Sequence, residues 1–171
     1  MVGKSVGAGK IERAWQDAVR FSVLIPAVSI VVGWVIIFFR TPLVGVFNLS
    51  GNISDTVLMT ARMLLVIYAL EIPLRNIPYI QIVGVFRSGG DTTTGVVYDL
   101  ACLWGLSLPA TLIAAFLLKL PFPAVFAVMY LCEDVVKSIL CIRHLRSSKW
   151  LLPVTTEGKA GLERWRAEKM K

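Results

Sequence analysis

The residues with chemistry to offer sit where chemistry is costly. Glu71, Arg75, Asn76 and Gln81 fall inside a long apolar run that also carries Pro73 and Pro78. Ionisable side chains at bilayer depth cost at least about 2.5–3.5 kcal/mol each, so they are functional candidates by default. Glu71 and Arg75 are four apart, on one helix face and within reach of each other. Each proline removes a backbone donor and frees a carbonyl one turn earlier. Such carbonyls are tolerated in a membrane where protein buries them or they line a watery cavity, and secondary transporters build midplane sites from broken helices of this kind. Two readings stay open for these four residues. They line a substrate or ion pathway, or they belong to a kinked helix whose Glu–Arg pair and amides hold neighbouring helices together.

The remaining candidates read as structural or gating groups. Asp99, one turn into a later apolar run, would pair with a basic residue at the rim such as Arg87. Glu133 and Lys137 are four apart, which leaves Asp134 in need of another partner. Asp91 lies in a short polar linker. Cys102, Cys132 and Cys141 are odd in number, lack C-x-x-C spacing and read as small packing residues. Cys141 and His144 stand three apart, but two ligands do not make a metal site. No H-E-x-x-H, G-x-S-x-G or P-loop occurs. Gly3–Lys10 is glycine-rich without the Walker A order. No catalytic residue, metal or organic cofactor is therefore expected, and the chain does not read as an enzyme.

The elements that must position these groups follow from composition. Of 171 residues, 56% are hydrophobic before the 13 glycines are counted, and 17% are charged. Soluble domains run at roughly 45–50% apolar with glycine included and about 25% charged. The excess is too large for the core of a small soluble protein, whose surface must face water. Disorder is excluded by the same numbers. An all-α polytopic membrane bundle is expected. Four stretches can span about 30 Å of hydrocarbon: Val19–Phe39, Val57–Phe86, Gly95–Leu118 and Phe122–Ile142. Their length and lack of period-two alternation favour helices over barrel strands. Linkers at Arg40–Thr56, Arg87–Thr94 and Lys119–Pro121 give an up-down-up-down order. Domain organisation is then a Gly-rich segment (1–18), a transmembrane part (19–154) and a basic tail (155–171), the tail reading as solvated and frayed.

The net charge of +7 is concentrated at the ends. Lys4, Lys10, Arg13 and Arg20 precede the first span, and nine of the 18 Lys/Arg lie between Lys137 and Lys171. A basic block after an apolar run marks a cytoplasmic flank beside anionic lipid rather than a nucleic-acid surface. Both termini are expected in the cytoplasm of an inner-membrane protein.

Four motifs carry a resemblance. The Gly3, Gly7, Ala8, Gly9, Ala14 pattern, the segment Phe86-Arg87-Ser88-Gly89-Gly90-Asp91-Thr92, the Asp99, Leu100, Trp104, Pro109 pattern and Arg146-Ser147-Ser148-Lys149-Trp150 together resemble the multidrug and toxic compound extrusion (MATE) transporters. That family has twelve helices in two lobes, and motif order makes these spans equivalent to helices nine to twelve, part of the C-terminal lobe. The resemblance implies export of organic cations or amphipathic xenobiotics in exchange for sodium ions or protons. It also implies a chain that is incomplete alone and needs an eight-helix N-terminal portion. Counting back from Arg87 places the family's acidic helix-ten position near Asn76, a neutral residue, so the coupling ion stays open. An autonomous dimeric four-helix transporter is the alternative, disfavoured because Val19–Phe39 holds no carboxylate. A membrane scaffold is the third reading.

Overall fold

The structure, a computed structural model, describes residues 1–48 and 53–169. It consists of helices: α1 (Val2–Gly7), α2 (Ile11–Val46), α3 (Asp55–Gly89), α4 (Thr93–Leu117), α5 (Phe122–Ser147) and α6 (Thr156–Lys169). Among the described residues the one strand-like pairing is an isolated antiparallel bridge between Gly90 and Leu151. Three helices, α2, α3 and α4, are long and apolar enough to cross a membrane. α5 is 26 residues, about 39 Å at 1.5 Å per residue, but carries Glu133, Asp134 and Lys137 along its middle.

Helix ends follow local chemistry. α5 begins behind Pro121, with Pro123 in its first turn where a missing N–H costs nothing, and stops at Ser148 in the left-handed region. Lys119, also left-handed at φ 49°, turns the chain between α4 and α5. α2 is longer than its apolar stretch at both ends. Its 36 residues run about 54 Å, against roughly 30 Å of hydrocarbon. The expected linker Arg40–Thr56 is correspondingly shorter, since Arg40 and Pro42 are helical; its residues 49–52 lie outside those described.

α2 packs along α3, and α3 along α5. Gly33 makes the first contact close, because a Cβ there would stand 2.5 Å from the Ala69 carbonyl oxygen. Ala69 is one turn before Pro73, so this carbonyl is the one that proline frees. The carbonyl freed by Pro78 is that of Leu74, and Ser138 of α5 donates its hydroxyl to it at 3.3 Å. After Pro78 the helix continues as a π segment, Ile80–Phe86, and two more, Leu103–Ser107 and Ile113–Leu117, interrupt α4. Ser107 donates to the Met129 carbonyl at 2.9 Å, joining α4 to α5.

The largest buried apolar cluster sits at one end of the bundle, not at mid-height. It combines Val2, Val6, Ile11, Ala14, Phe86, Leu145, Trp150, Leu151, Leu162 and Trp165, among others. The tail corrects a sequence expectation here. α6 is an ordered helix that buries Leu162 and Trp165, because its indole N–H donates to Glu12 at 2.6 Å and its ring lies 6.0 Å from that of Trp15. Residues 170–171 of the tail lie outside those described. The Gly-rich segment is likewise helical, as α1, over Val2–Gly7.

Candidate functional site

Midway along the bundle, α3, α4 and α5 bring together six charged side chains. α5 contributes Glu133, Asp134 and Lys137; α3 contributes Glu71 and Arg75; α4 contributes Asp99. The Lys137 ammonium donates to Glu133 Oε1 at 2.6 Å, as the i,i+4 spacing predicts. It also stands 3.2 Å from Asp99 Oδ1 and 3.9 Å from Asp134 Oδ1. One cation is thus shared by three carboxylates.

Two pairings expected from spacing are not the ones formed. Glu71 and Arg75 share a face, yet Arg75 turns to Asp134, with Nη1 3.8 Å from Oδ2. Its guanidinium lies over Tyr130 of α5, 4.7 Å from the ring centroid. The quadrupole of that ring and the Asp134 charge together outcompete the local carboxylate. Asp99 pairs with Lys137 rather than Arg87, because α5 presents a nearer cation than the rim does.

Glu71 is left over. It is 6% exposed, and neither of its carboxylate oxygens has a hydrogen-bond partner. Asp134, 1% exposed, likewise has both oxygens without one, its two ion pairs being long. Asp134 acts on Glu71 as a repulsive charge and Arg75 as an attractive one. Across the cluster, Glu71, Asp99, Glu133 and Asp134 face only Arg75 and Lys137. Acids outnumber bases by two, in a setting where an uncompensated charge is strongly penalised.

The amides divide. Asn76 donates its Nδ2–H to Ser29 Oγ of α2 at 2.6 Å, and Ser29 in turn donates to the Ile25 carbonyl at 2.8 Å. Gln81 is buried in the π segment of α3 with Oε1 unpartnered. It lies ten residues, about 15 Å, beyond Glu71 along the helix. Among the described residues no group of three His, Cys, Asp or Glu is arranged to hold a metal ion. Cys102 and Cys141 are buried, and Cys132 is half-buried.

A second polar constellation was not visible from spacing. His144 of α5 donates Nε2–H to Asp91 Oδ2 at 2.7 Å, while the Thr94 backbone N–H donates to Asp91 Oδ1 at 3.1 Å. Phe86 and Tyr98 meet the imidazole edge-on at 4.8 and 6.0 Å. Burial alone would raise the Asp91 carboxyl. The hydrogen bonds from Thr94, and then the His144 contact, outweigh it and hold the carboxyl below the ordinary carboxylate value. The available signal was that Asp91 and His144 both lie at ends of predicted helices, next to the polar linker and the basic tail.

Three of the four sequence motifs converge at that end. Gly90, at φ 101°, closes α3, and the Leu152 N–H donates to the Gly89 carbonyl at 2.8 Å. A Cβ on Gly89 would collide with the Trp150 ring. Gly3 packs on the Ser88 carbonyl, and Gly9, at φ 70°, packs on Glu157. Arg87–Thr92, Arg146–Trp150 and the α1 glycines are therefore one packed knot. The fourth motif supplies Asp99 to the charged cluster, while its Trp104 faces outward.

Comparison with known proteins gives one match. A family model described as MatE covers residues 1–130 of the 171. No curated protein and no solved structure matches the chain. The matched stretch runs from α1 into α5 and holds three of the four motifs, the Arg146–Trp150 segment lying beyond it. On that match the chain belongs to the MatE family of transporters.

Proposed function

We propose that this chain forms the part of a secondary active multidrug efflux antiporter equivalent to helices nine to twelve, with α5 as the fourth span and both termini cytoplasmic. It works with eight further helices to export organic cations or amphipathic compounds in exchange for sodium ions or protons. One observation carries the reading: Glu71 and Asp134 are buried carboxylates on facing helices, their oxygens unpartnered, in a cluster with two more acids than bases. Such an excess is relieved by taking up a proton or a small cation and restored by releasing it, which is the elementary act of coupling. Pro73, Pro78 and the π segment of α3 support it. A helix whose ladder is already interrupted bends at lower cost than a continuous one.

The test is dye efflux from a pump-deficient bacterial strain expressing the chain alone or with an eight-helix N-terminal partner. Efflux only with the partner, lost in Glu71→Gln and in Asp134→Asn at unchanged membrane abundance, is the expected result. Efflux by the chain alone would support a self-assembling small transporter instead. Efflux unaffected by either substitution would remove the cluster from the coupling mechanism.

A further inference from the structure

Where α2 overhangs the hydrocarbon, two adjoining cavities of about 770 and 330 Å³ open between α1, α2 and α6. Lys10, Arg13 and Asp17 line both; Arg20 and Arg164 line the larger, Lys4 the smaller. Among the described residues none of these five cations has a carboxylate within 4.0 Å. Of the other acids lining the larger cavity, Glu12 accepts hydrogen bonds from Gln16 and Trp165, and Glu168 is exposed. The uncapped N-terminus of the 36-residue α2 opens into the same space, adding partial positive charge.

The independent observation is Asp17. It is 8% exposed, lines both cavities, and its Oδ2 has no hydrogen-bond partner. The site therefore offers several cations for an anion and one buried acceptor short of a donor. Both demands are met by a phosphate ester carrying a primary ammonium.

The stripe below says where that ligand comes from. Lys10, Arg13, Asp17, Arg20, Leu24, Val28, Val31 and Val35 are spaced three or four apart, on one face of α2. Leu24, Val28, Val31 and Val35 are each half exposed or more. Charged at the headgroup level and apolar for about 16 Å beneath, this face has the polarity profile of a phospholipid. We propose that it is a binding site for an aminophospholipid, with the phosphate among Lys10, Arg13, Arg20 and Arg164, the ammonium on Asp17, and an acyl chain along the valine stripe.

The experiment uses the purified full chain in mild detergent, titrated by native mass spectrometry with phosphatidylethanolamine, phosphatidylcholine and phosphatidylglycerol. Phosphatidylcholine keeps the phosphate but has no N–H to donate, so it should bind about tenfold more weakly than phosphatidylethanolamine, the size of one charge-assisted hydrogen bond. Asp17→Ala, which removes the acceptor, should erase that gap. The exposed double variant Arg13→Gln/Arg20→Gln should weaken all three lipids by about tenfold or more, and it keeps the test alive if the buried variant does not fold. Equal binding of the two zwitterionic lipids, or a gap that persists in Asp17→Ala, overturns the proposal. Soluble glycerophosphoethanolamine binding as tightly as the lipid would overturn the lipid source.

Discussion

Lys137 holds three carboxylates at distances from 2.6 to 3.9 Å while only 12% of its side chain is exposed. Removing one partner of a buried charged group leaves the others uncompensated, at about 3–5 kcal/mol. Lys137→Met should therefore lower stability by about 3 kcal/mol, read as a fall in the detergent-solubilised unfolding midpoint. Added Glu133→Gln should recover part of the loss. Arg75→Gln should cost less than Lys137→Met, because its single ion pair, to Asp134 at 3.8 Å, is longer than the 2.6 Å Lys137–Glu133 bond. Asp91 gives a pH signature. Its folded value lies below the ordinary 3.8, so the folded state binds fewer protons than the unfolded one between the two values. Its contribution is complete above the ordinary value and is lost as pH falls through the folded one. The stability difference between the parent and Asp91→Asn should shrink as pH falls through that range in acid unfolding curves. These residue identities were legible as candidates, since charge inside an apolar run is conspicuous. Their pairing was not: i,i+4 spacing offered Glu71 to Arg75, and Asp134 with Tyr130 on another helix took it.

Contacts between helices explain the prolines of α3. Pro73 and Pro78 free the carbonyls of Ala69 and Leu74; Gly33 lets α2 lie against the first, and Ser138 donates to the second. Gly33→Leu should force α2 away from α3 and cost about 1–3 kcal/mol or more in thermal unfolding. For Leu74 a double-mutant cycle applies. Ser138→Ala should cost about 1 kcal/mol in the parent and markedly less in Pro78→Ala, where the helix regains its own donor. Equal costs in both backgrounds would show that the hydroxyl serves another acceptor. The four apolar runs predicted helices of the right register, but their ends moved. α2 extends to Val46 because Arg40 and Pro42 continue the helix, Arg40 donating to the Ile37 carbonyl at 2.9 Å. The tail also became a helix, α6, since Leu162 and Trp165 found Trp15 and Glu12, more than 140 residues away in sequence.

Across the whole molecule, tight packing and charge chemistry are segregated. The apolar knot ties α1, the α3–α4 turn, the end of α5 and α6 at one end, whereas the charged cluster lies further along α3, α4 and α5 and the helix faces are largely exposed. Gly89→Ala should be among the most damaging small substitutions, because the Trp150 ring and backbone both occupy the site of the new methyl. A loss of folded protein on size-exclusion chromatography is expected, with Gly105→Ala, whose site is open, as the tolerated control.

By itself the sequence determined the membrane class, the helical architecture, the approximate extents of the long helices, the family resemblance and the charged side chains inside apolar runs. Each of these rests on composition or on spacing within one segment, which the chain encodes locally. Tertiary structure alone decided which acid each base neutralises, which freed carbonyl is satisfied by which hydroxyl, and that three separated motifs are one packed knot. It also decided that the carboxylate oxygens of Glu71 and Asp134, and Oδ2 of Asp17, are buried without a hydrogen bond. Those outcomes depend on distances between residues dozens of positions apart, set by helix packing rather than by period.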